Sequence, residues 1–326
     1  MCKAPQAPLA FFLRLAVTSF RSGLKKAASN RLKVYPSLKN KGTTMTIAKT
    51  VGLAIIGTAL AVGGASAQQK TIKIATEGAY APWNFTGAGG KLEGFDVDIA
   101  NELCNRMKAK CEIVAQDWDG IIPALTAKKY DAIVAGMSIT DERKKTINFS
   151  LPYASGPNGF LVAKSSPLAK MPGTGQTFNL ATQKEAAEKA IEAVKPLLKG
   201  KSIGVQGSTI HANFADKYYK GAAEIREYKT TEAHDLDLAA GRIDAVLADS
   251  TALIGTLEKP EFSKDYVLVG PAMSGGLLGE GVGIGLRKED TELKKAFDDA
   301  IQAAVQDGTV KKLSEKWFKI DISPKG

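Results

Sequence analysis

Cysteine and histidine are nearly absent, with three Cys and two His in 326 residues. His211 and His234 lie far from every cysteine in sequence, so the pattern lacks the ligand set of a Cys/His metal centre. Acidic residues are missing altogether from the first 67 positions, which carry ten Lys/Arg. The formal charge of +10 therefore resides in that segment; the rest holds 34 Lys/Arg against 34 Asp/Glu, which argues against a nucleic-acid partner for the folded part. Apolar runs long enough to span a bilayer are also lacking from the leader: the stretch from Val51 to Ala65 falls short of the ~20 residues a spanning helix needs.

That leader has the form of an export signal. Met45 to Lys49 is a short basic start, Val51 to Ala65 is rich in Ala and Gly, and Ala65-Ser66-Ala67 has the small-x-small form of a cleavage site. The expectation is a leader over 1–67 with its start at Met45 and cleavage after Ala67, giving a periplasmic chain. In an oxidising compartment the two remaining cysteines, Cys104 and Cys111, are expected to form a small structural disulfide.

From residue 71 onward, strand and helix signals alternate. "TIKIA" (71–75), "CEIVA" (111–115) and "DAIVA" (131–135) read as strands, and Asp96–Met107 and Gly120–Ala127 as helices. Such alternation implies βα units and a mainly parallel sheet. A second block starts at Ser202, and "LTAKKYDAIVAG" (125–136) matches "LAAGRIDAVLAD" (238–249) at a constant offset, so two similar α/β lobes are expected. Between them, a Pro/Gly-rich turn and the polar helix "ATQKEAAEKAIEAV" form a surface insertion at about 171–200 with no chemical motif. The closing "TELKKAFDDAIQAAVQDGTVKKLSEKWF" predicts two helices around an Asp-Gly turn, with Leu293, Phe297, Ile301 and Val305 on one buried face.

Ligands of parallel α/β sheets sit at the carboxyl ends of the strands, where helix N-termini converge. The residues there are Glu77 with Tyr80 and Trp83, then Asp117-Trp118-Asp119, then Ala135-Gly136-Met137-Ser138 followed by Arg143. In the second block they are Gln206 to Thr209 in "GVQGST", and Asp249. One arginine, two carboxylates, aromatics and hydroxyls at helix starts complement a zwitterion. A carboxylate suits the guanidinium fork of Arg143 with Ser138 and the Thr209 turn, and an ammonium suits Asp249. Glu77 is a further anion, matching a cationic far end, with Tyr80 and Trp118 placed to stack on it. Each residue alone is more ordinarily a cap, a packed ring or a solvated charge; their joint occurrence at matching places in two lobes carries the case.

The stretches "GFDVDIANELC" (94–104), "DWDGIIPALTAKKYDAI" (117–133), "SITDERKKTINFSLPY" (138–153), "GVQGST" (204–209) and "GVGIGLRKEDTELKKAFDDAI" (281–301) resemble the periplasmic polar amino-acid binding proteins of ABC importers, solute-binding protein family 3, over nearly all of 70–322. Within that family the sequence is similar to the lysine/arginine/ornithine and histidine binders, and more so to the octopine and nopaline binders. The resemblance implies a two-lobed periplasmic binding protein type II fold, with two Rossmann-like lobes joined by a two-strand hinge. Lobe 1 would comprise 70–157 and 280–326, and lobe 2 158–279. It also implies a monomer that hands a small molecule to an inner-membrane permease, without cofactor, metal or catalytic residue.

By the same resemblance, Arg143 and Ser138 clamp the ligand α-carboxylate, Thr209 adds an amide, Asp249 holds the α-amine, Glu77 meets the side-chain cation, and Cys104 pairs with Cys111. Two departures bear on the ligand. Ala135-Gly136 stands where basic amino-acid binders tend to carry a serine pair, and Ile210 where a glutamine is common; smaller residues leave room for an opine. Asp249, in contrast, suits a free α-amine. The expected ligand is thus arginine, ornithine, lysine or an arginine-derived opine such as octopine or nopaline. The alternative is an exported dehydratase acting on cyclohexadienyl acids, with Glu77 as its single candidate acid.

Overall fold

The computed structural model describes residues 71–324. The expected start at Met45 and the cleavage site lie outside the described residues. In chain order the first strands are β1 (Thr71–Thr76), β2 (Ala79–Tyr80), β3 (Asn84–Thr86), β4 (Leu92–Glu93), β5 (Lys110–Ala115), β6 (Ala132–Ile133) and β7 (Asn148–Ala154). They are followed by β8 (Asn158–Ala163), β9 (Thr177–Asn179), β10 (Ser202–Gln206), β11 (Glu224–Tyr228), β12 (Ala245–Asp249), β13 (Tyr266–Ser274) and β14 (Val282–Leu286). The helices are α1 (Phe95–Arg106), α2 (Ile121–Thr126), α3 (Asp141–Thr146), α4 (Lys184–Leu198) and α5 (Ile210–Tyr219), then α6 (Thr231–Ala239), α7 (Ser250–Leu257), α8 (Pro260–Ser263), α9 (Thr291–Gln306) and α10 (Thr309–Phe318).

Two main sheets result. One has the order β5-β1-β6-β14-β7, the other β11-β10-β12-β8-β13-β9, and β2, β3 and β4 form a small third sheet. In each main sheet three parallel strands meet an antiparallel one, β14 beside β6 and β8 beside β12. The repeat visible in the sequence thus has a structural counterpart, because β6 and β12 hold the same place, third from the parallel edge. The antiparallel strand follows a crossing between the lobes, through 155–157 into β8 and through 275–281 back to β14. Sequence-distant strands are therefore neighbours, and the carboxyl ends of both parallel sets face a common cleft.

Each lobe has its own core. In the first, Ile72, Ile74, Phe95, Ile99 and Leu103 pack with Phe297, Ile301 and Phe318 of α9 and α10. Leu293, Phe297 and Ile301 are buried as the spacing requires, and Val305 is half-buried against the same cluster. The turn between α9 and α10 uses Gly308 at φ 78°, a left-handed conformation that glycine adopts without a Cβ penalty. A disulfide joins Cys104 at the end of α1 to Cys111 on β5, with Cα atoms 6.0 Å apart.

The segment at 171–200 differs from the expectation of a surface decoration. Ala187, Ile191, Val194 and Leu198 of α4 are fully buried in the second core, and β9 adds an edge strand parallel to β13. The physical reason is the i, i+4, i+7, i+11 spacing of these four residues, which makes one apolar stripe within a helix that is polar elsewhere.

Candidate functional site

A cleft of about 670 Å3 lies between the lobes, and its walls include both crossing segments. Of the residues singled out in the sequence, Glu77, Tyr80, Trp118, Ala135, Gly136, Ser138 and Arg143 line it from the first lobe, and Gln206, Thr209 and Asp249 from the second. Met137 does not join them. Its side chain is 0% exposed and packs with Ala75, Ile121 and Ile139, because alternate residues after β6 point to opposite faces.

Arg143 sits on α3, a short helix capped by Thr140, whose side-chain oxygen accepts the Arg143 N–H. Its guanidinium donates to the Ser138 carbonyl at 2.9 Å and lies 5.2 Å from the Trp118 ring centroid. Burial lowers its pKa to about 10. Among the described residues no carboxylate lies in ion-pair range of this guanidinium, so its remaining N–H groups are available to an anion. Trp118, expected to stack on a ligand cation, thus has a protein cation over its ring, and its indole N–H donates across the cleft to the Ser208 carbonyl at 3.0 Å.

Opposite Arg143, Asp249 ends β12 and caps α7. Its side-chain hydrogen bonds with the described residues fall on Oδ1, which accepts from the Thr251 N–H at 2.9 Å, the Ala252 N–H at 3.2 Å, the Thr251 hydroxyl and the Trp83 indole N–H at 3.4 Å. Oδ2 accepts from no donor among the described residues and faces the hinge at Gly156, where an added Cβ would come within 3.3 Å of it. Burial raises the Asp249 pKa, the hydrogen bonds opposing. Trp83 also donates to the Thr251 hydroxyl at 2.9 Å. It therefore ties the first lobe to the cap of α7, a role that a lone tryptophan in "APWNF" could not signal from sequence.

Glu77 follows β1 and is 8% exposed. Its Oε1 accepts from Gln206 Nε2 at 2.6 Å across the lobes, and Gln206 Nε2 also donates to the Lys229 carbonyl. Burial pushes the Glu77 carboxyl up to about 7; the Gln206 bond opposes this, and Asp117 and Asp119 add to it. Further cross-lobe ties join the Thr231 hydroxyl to the Ala79 carbonyl at 3.1 Å and Lys229 to Asp117 at 2.8 Å. The lobes are thus closed on each other around the cleft.

Thr209 caps α5, its hydroxyl donating to the Gln206 carbonyl at 2.6 Å and accepting from the Ala212 N–H. Ser208 before it has φ 57°, a left-handed conformation unusual for a residue with a side chain. The space foreseen at Ala135-Gly136 is not empty. Gly136 has φ 58°, and a Cβ there would lie 3.2 Å from Tyr80 and 3.5 Å from Trp83, whose rings stack at 6.5 Å between centroids. Glycine lets these rings close over the strand end, so they, and not the ligand, take up the room. Ala135 is buried in the first-lobe core with Ile121 and Ile139.

Two supporting residues escaped the sequence reading. His211 lines the cleft at 8% exposure, with Nε2 2.7 Å from Asn158 Oδ1. Asp96, fully buried, accepts from Tyr153 at 2.6 Å, Asn84 at 2.8 Å and the Gly136 N–H, which holds the Gly136 turn in place; burial raises its pKa to about 7. Their position in the first turns of α5 and α1 was the available signal, but such acids and histidines are ordinarily caps or surface groups.

The sequence model of the bacterial extracellular solute-binding proteins, family 3, matches residues 72–320. The octopine-binding periplasmic protein of Rhizobium meliloti is 51% identical over 280 residues, covering 80% of this chain and 95% of that one. The L-arginine-binding protein of Pseudomonas aeruginosa is 38% identical, covering 78% and 91%. Among solved structures, a periplasmic His/Glu/Gln/Arg/opine family-binding protein from Silicibacter pomeroyi in complex with lysine aligns with a TM-score of 0.62 at 31% identity, over 78% of this chain and 100% of that one. With the two sheets, the double crossing and the closed cleft already described, the chain belongs to the bacterial extracellular solute-binding proteins of family 3.

Proposed function

We propose that the chain is the periplasmic binding component of an ABC importer, which captures a cationic amino acid or an arginine-derived opine as a monomer and delivers it to a membrane permease. The observation that carries this reading is the pairing across the cleft of an arginine without a carboxylate partner, Arg143, with a carboxylate that keeps one oxygen open, Asp249. Between them they fit an α-carboxylate and an α-ammonium, and the buried Glu77 fits a guanidinium or ammonium at the other end. In this reading lobe 1 is 70–157 with 280–326 and lobe 2 is 158–279. Closure follows because each lobe supplies one half of the zwitterion's partners. Octopine and arginine binding by relatives, and the lysine complex of a solved neighbour, support the same ligand class.

The test is thermal unfolding of the purified protein, stripped of ligand by unfolding and refolding, against arginine, ornithine, lysine, octopine, nopaline and prephenate. A ligand at a hundredfold to a thousandfold excess over its Kd stabilises by about 3–4 kcal/mol. We expect that size of shift from at least one cationic ligand, and neither a shift nor turnover with prephenate. Turnover of prephenate, or no shift with any cationic ligand, rejects the reading in favour of an enzyme.

The raised Glu77 pKa sets a pH dependence for arginine. Below pH 7 the carboxyl is protonated and neutral in the ligand-free cleft, whereas a guanidinium binds its ionised form. Affinity is therefore level above pH 7 and declines towards tenfold per pH unit below it, with proton release on binding. Calorimetric titration with arginine is expected to give a Kd about ten- to thirtyfold weaker at pH 5.5 than at pH 8. Glu77→Gln should flatten this profile; a wild-type Kd that is unchanged over the interval would refute the assignment of Glu77 to the ligand cation.

A further inference from the structure

Cationic side chains are scarce in the lining of the cleft. Arg143 is the single Lys or Arg among its lining residues, which include the acids Glu77 and Asp249; Glu280, also in the lining, is paired with Lys144. One ligand carboxylate is matched by Arg143. An opine carries a second carboxylate on the substituent of its α-nitrogen, and among the lining residues the remaining side chain able to become a cation is His211.

The geometry of His211 is specific. Asn158 Nδ2 donates to the Met273 carbonyl at 3.0 Å, which turns Asn158 Oδ1 towards the histidine. That oxygen can only accept, so the imidazole carries its proton on Nε2 and leaves a lone pair on Nδ1. Nδ1 has no hydrogen-bond partner among the described residues and is not sealed from solvent, so it is open to the cleft that His211 lines.

We propose that His211 is a specificity-determining residue that recognises the second carboxylate of an opine by taking up a proton from solvent at Nδ1, so that imidazolium and carboxylate form a charge-assisted hydrogen bond. This deepens the ligand assignment above and rests on it. The step breaks a buffer acid's bond to hydrogen and forms Nδ1–H, with Nε2–H still bonded to Asn158. Without that carboxylate the ring is neutral. Burial lowers its pKa to about 3, and His234 on α6 and Arg143 on α3 push the same way. The other elements packed against α5 carry the lysines and glutamates of α4, Glu224 to Tyr228 of β11 and Asp249 at the end of β12, and the turn at Gly276–Leu278 carries no titratable side chain. A carboxylate at Nδ1, together with neutralisation of Arg143 by the first carboxylate, reverses the balance in favour of the cation.

The experiment is calorimetric titration of the ligand-stripped protein at pH 6 with octopine and with arginine, each in buffers of different ionisation enthalpy, which counts protons taken up per ligand bound. Glu77 responds to the guanidinium of both ligands, so the difference between them isolates His211. Octopine is expected to take up about half a proton to one proton more than arginine. In His211→Gln this difference vanishes and the ratio of octopine to arginine affinity falls about tenfold. Equal proton counts in the wild type overturn the proposal without recourse to any variant. Arginine binding with no octopine binding also overturns it while leaving the proposed function intact, and binding of neither rejects both.

Discussion

Arg143→Ala is expected to weaken ligand binding several-hundred- to several-thousand-fold, the largest single effect in the cleft. The guanidinium is prepared for an anion. The Ser138 carbonyl fixes it at 2.9 Å, Trp118 lies against one face, and no carboxylate of the described chain competes for its fork. Burial of the site lowers its pKa to about 10, and an ion pair formed there gains more than one at the surface. Alanine leaves a ligand carboxylate enclosed without its partner, a loss of about 3–5 kcal/mol. Lysine keeps the charge but loses the planar fork, and should fall between alanine and wild type. Calorimetric Kd values for the best ligand of the panel measure all three proteins. A loss below tenfold for alanine would reject the clamp, provided the ligand-free variant melts as the wild type does.

Asp249→Asn is expected to cost about 2–4 kcal/mol of binding, some thirty- to several-hundred-fold, with little change in fold stability. The separation of the two effects comes from the division of labour between the carboxylate oxygens. Oδ1 serves the protein, taking the first N–H groups of α7 and the Trp83 indole from the other lobe, and an asparagine carbonyl can serve in the same way. Oδ2 is the oxygen left for an ammonium, and replacing it with an NH2 turns an acceptor into a donor facing a cation. Asp249→Ala would confuse the test, because losing the cap alone costs about 1 kcal/mol. Affinity lost with an unchanged ligand-free melting temperature is the expected pair of results. An unchanged affinity would mean that Asp249 is a cap and nothing more.

The contrast between these residues and the inserted segment shows what a sequence can convey. Arg143, Ser138, Thr209 and Asp249 were legible because each follows an apolar strand at a place where the α/β layout puts ligands. The repeat at 125–136 and 238–249 showed that two lobes offer such places. The segment at 171–200 was misjudged because its motif content is nil. Its contribution is made through the fold, as β9 joins the sheet and brings Thr177, Asn179, Ala181 and Thr182 to the cleft wall. Met137 was included by adjacency alone, and the alternation of the backbone turned it into the core.

Periodicity, strand ends and charge distribution are local properties, written along the chain, and by themselves they determined two α/β lobes, the placement of the excess charge in the first 67 residues and the chemical character of the cleft. The tertiary structure decided how each group is used: which oxygen of Asp249 is open, which cation lies over Trp118, which rings fill the space at Gly136, and which tautomer His211 adopts. The physical reason is sequence distance. Trp83 to Thr251, Glu77 to Gln206, Trp118 to Ser208 and His211 to Asn158 are contacts between residues dozens to well over a hundred positions apart, made only when the crossing strands close one lobe on the other or bring β8 beside β12.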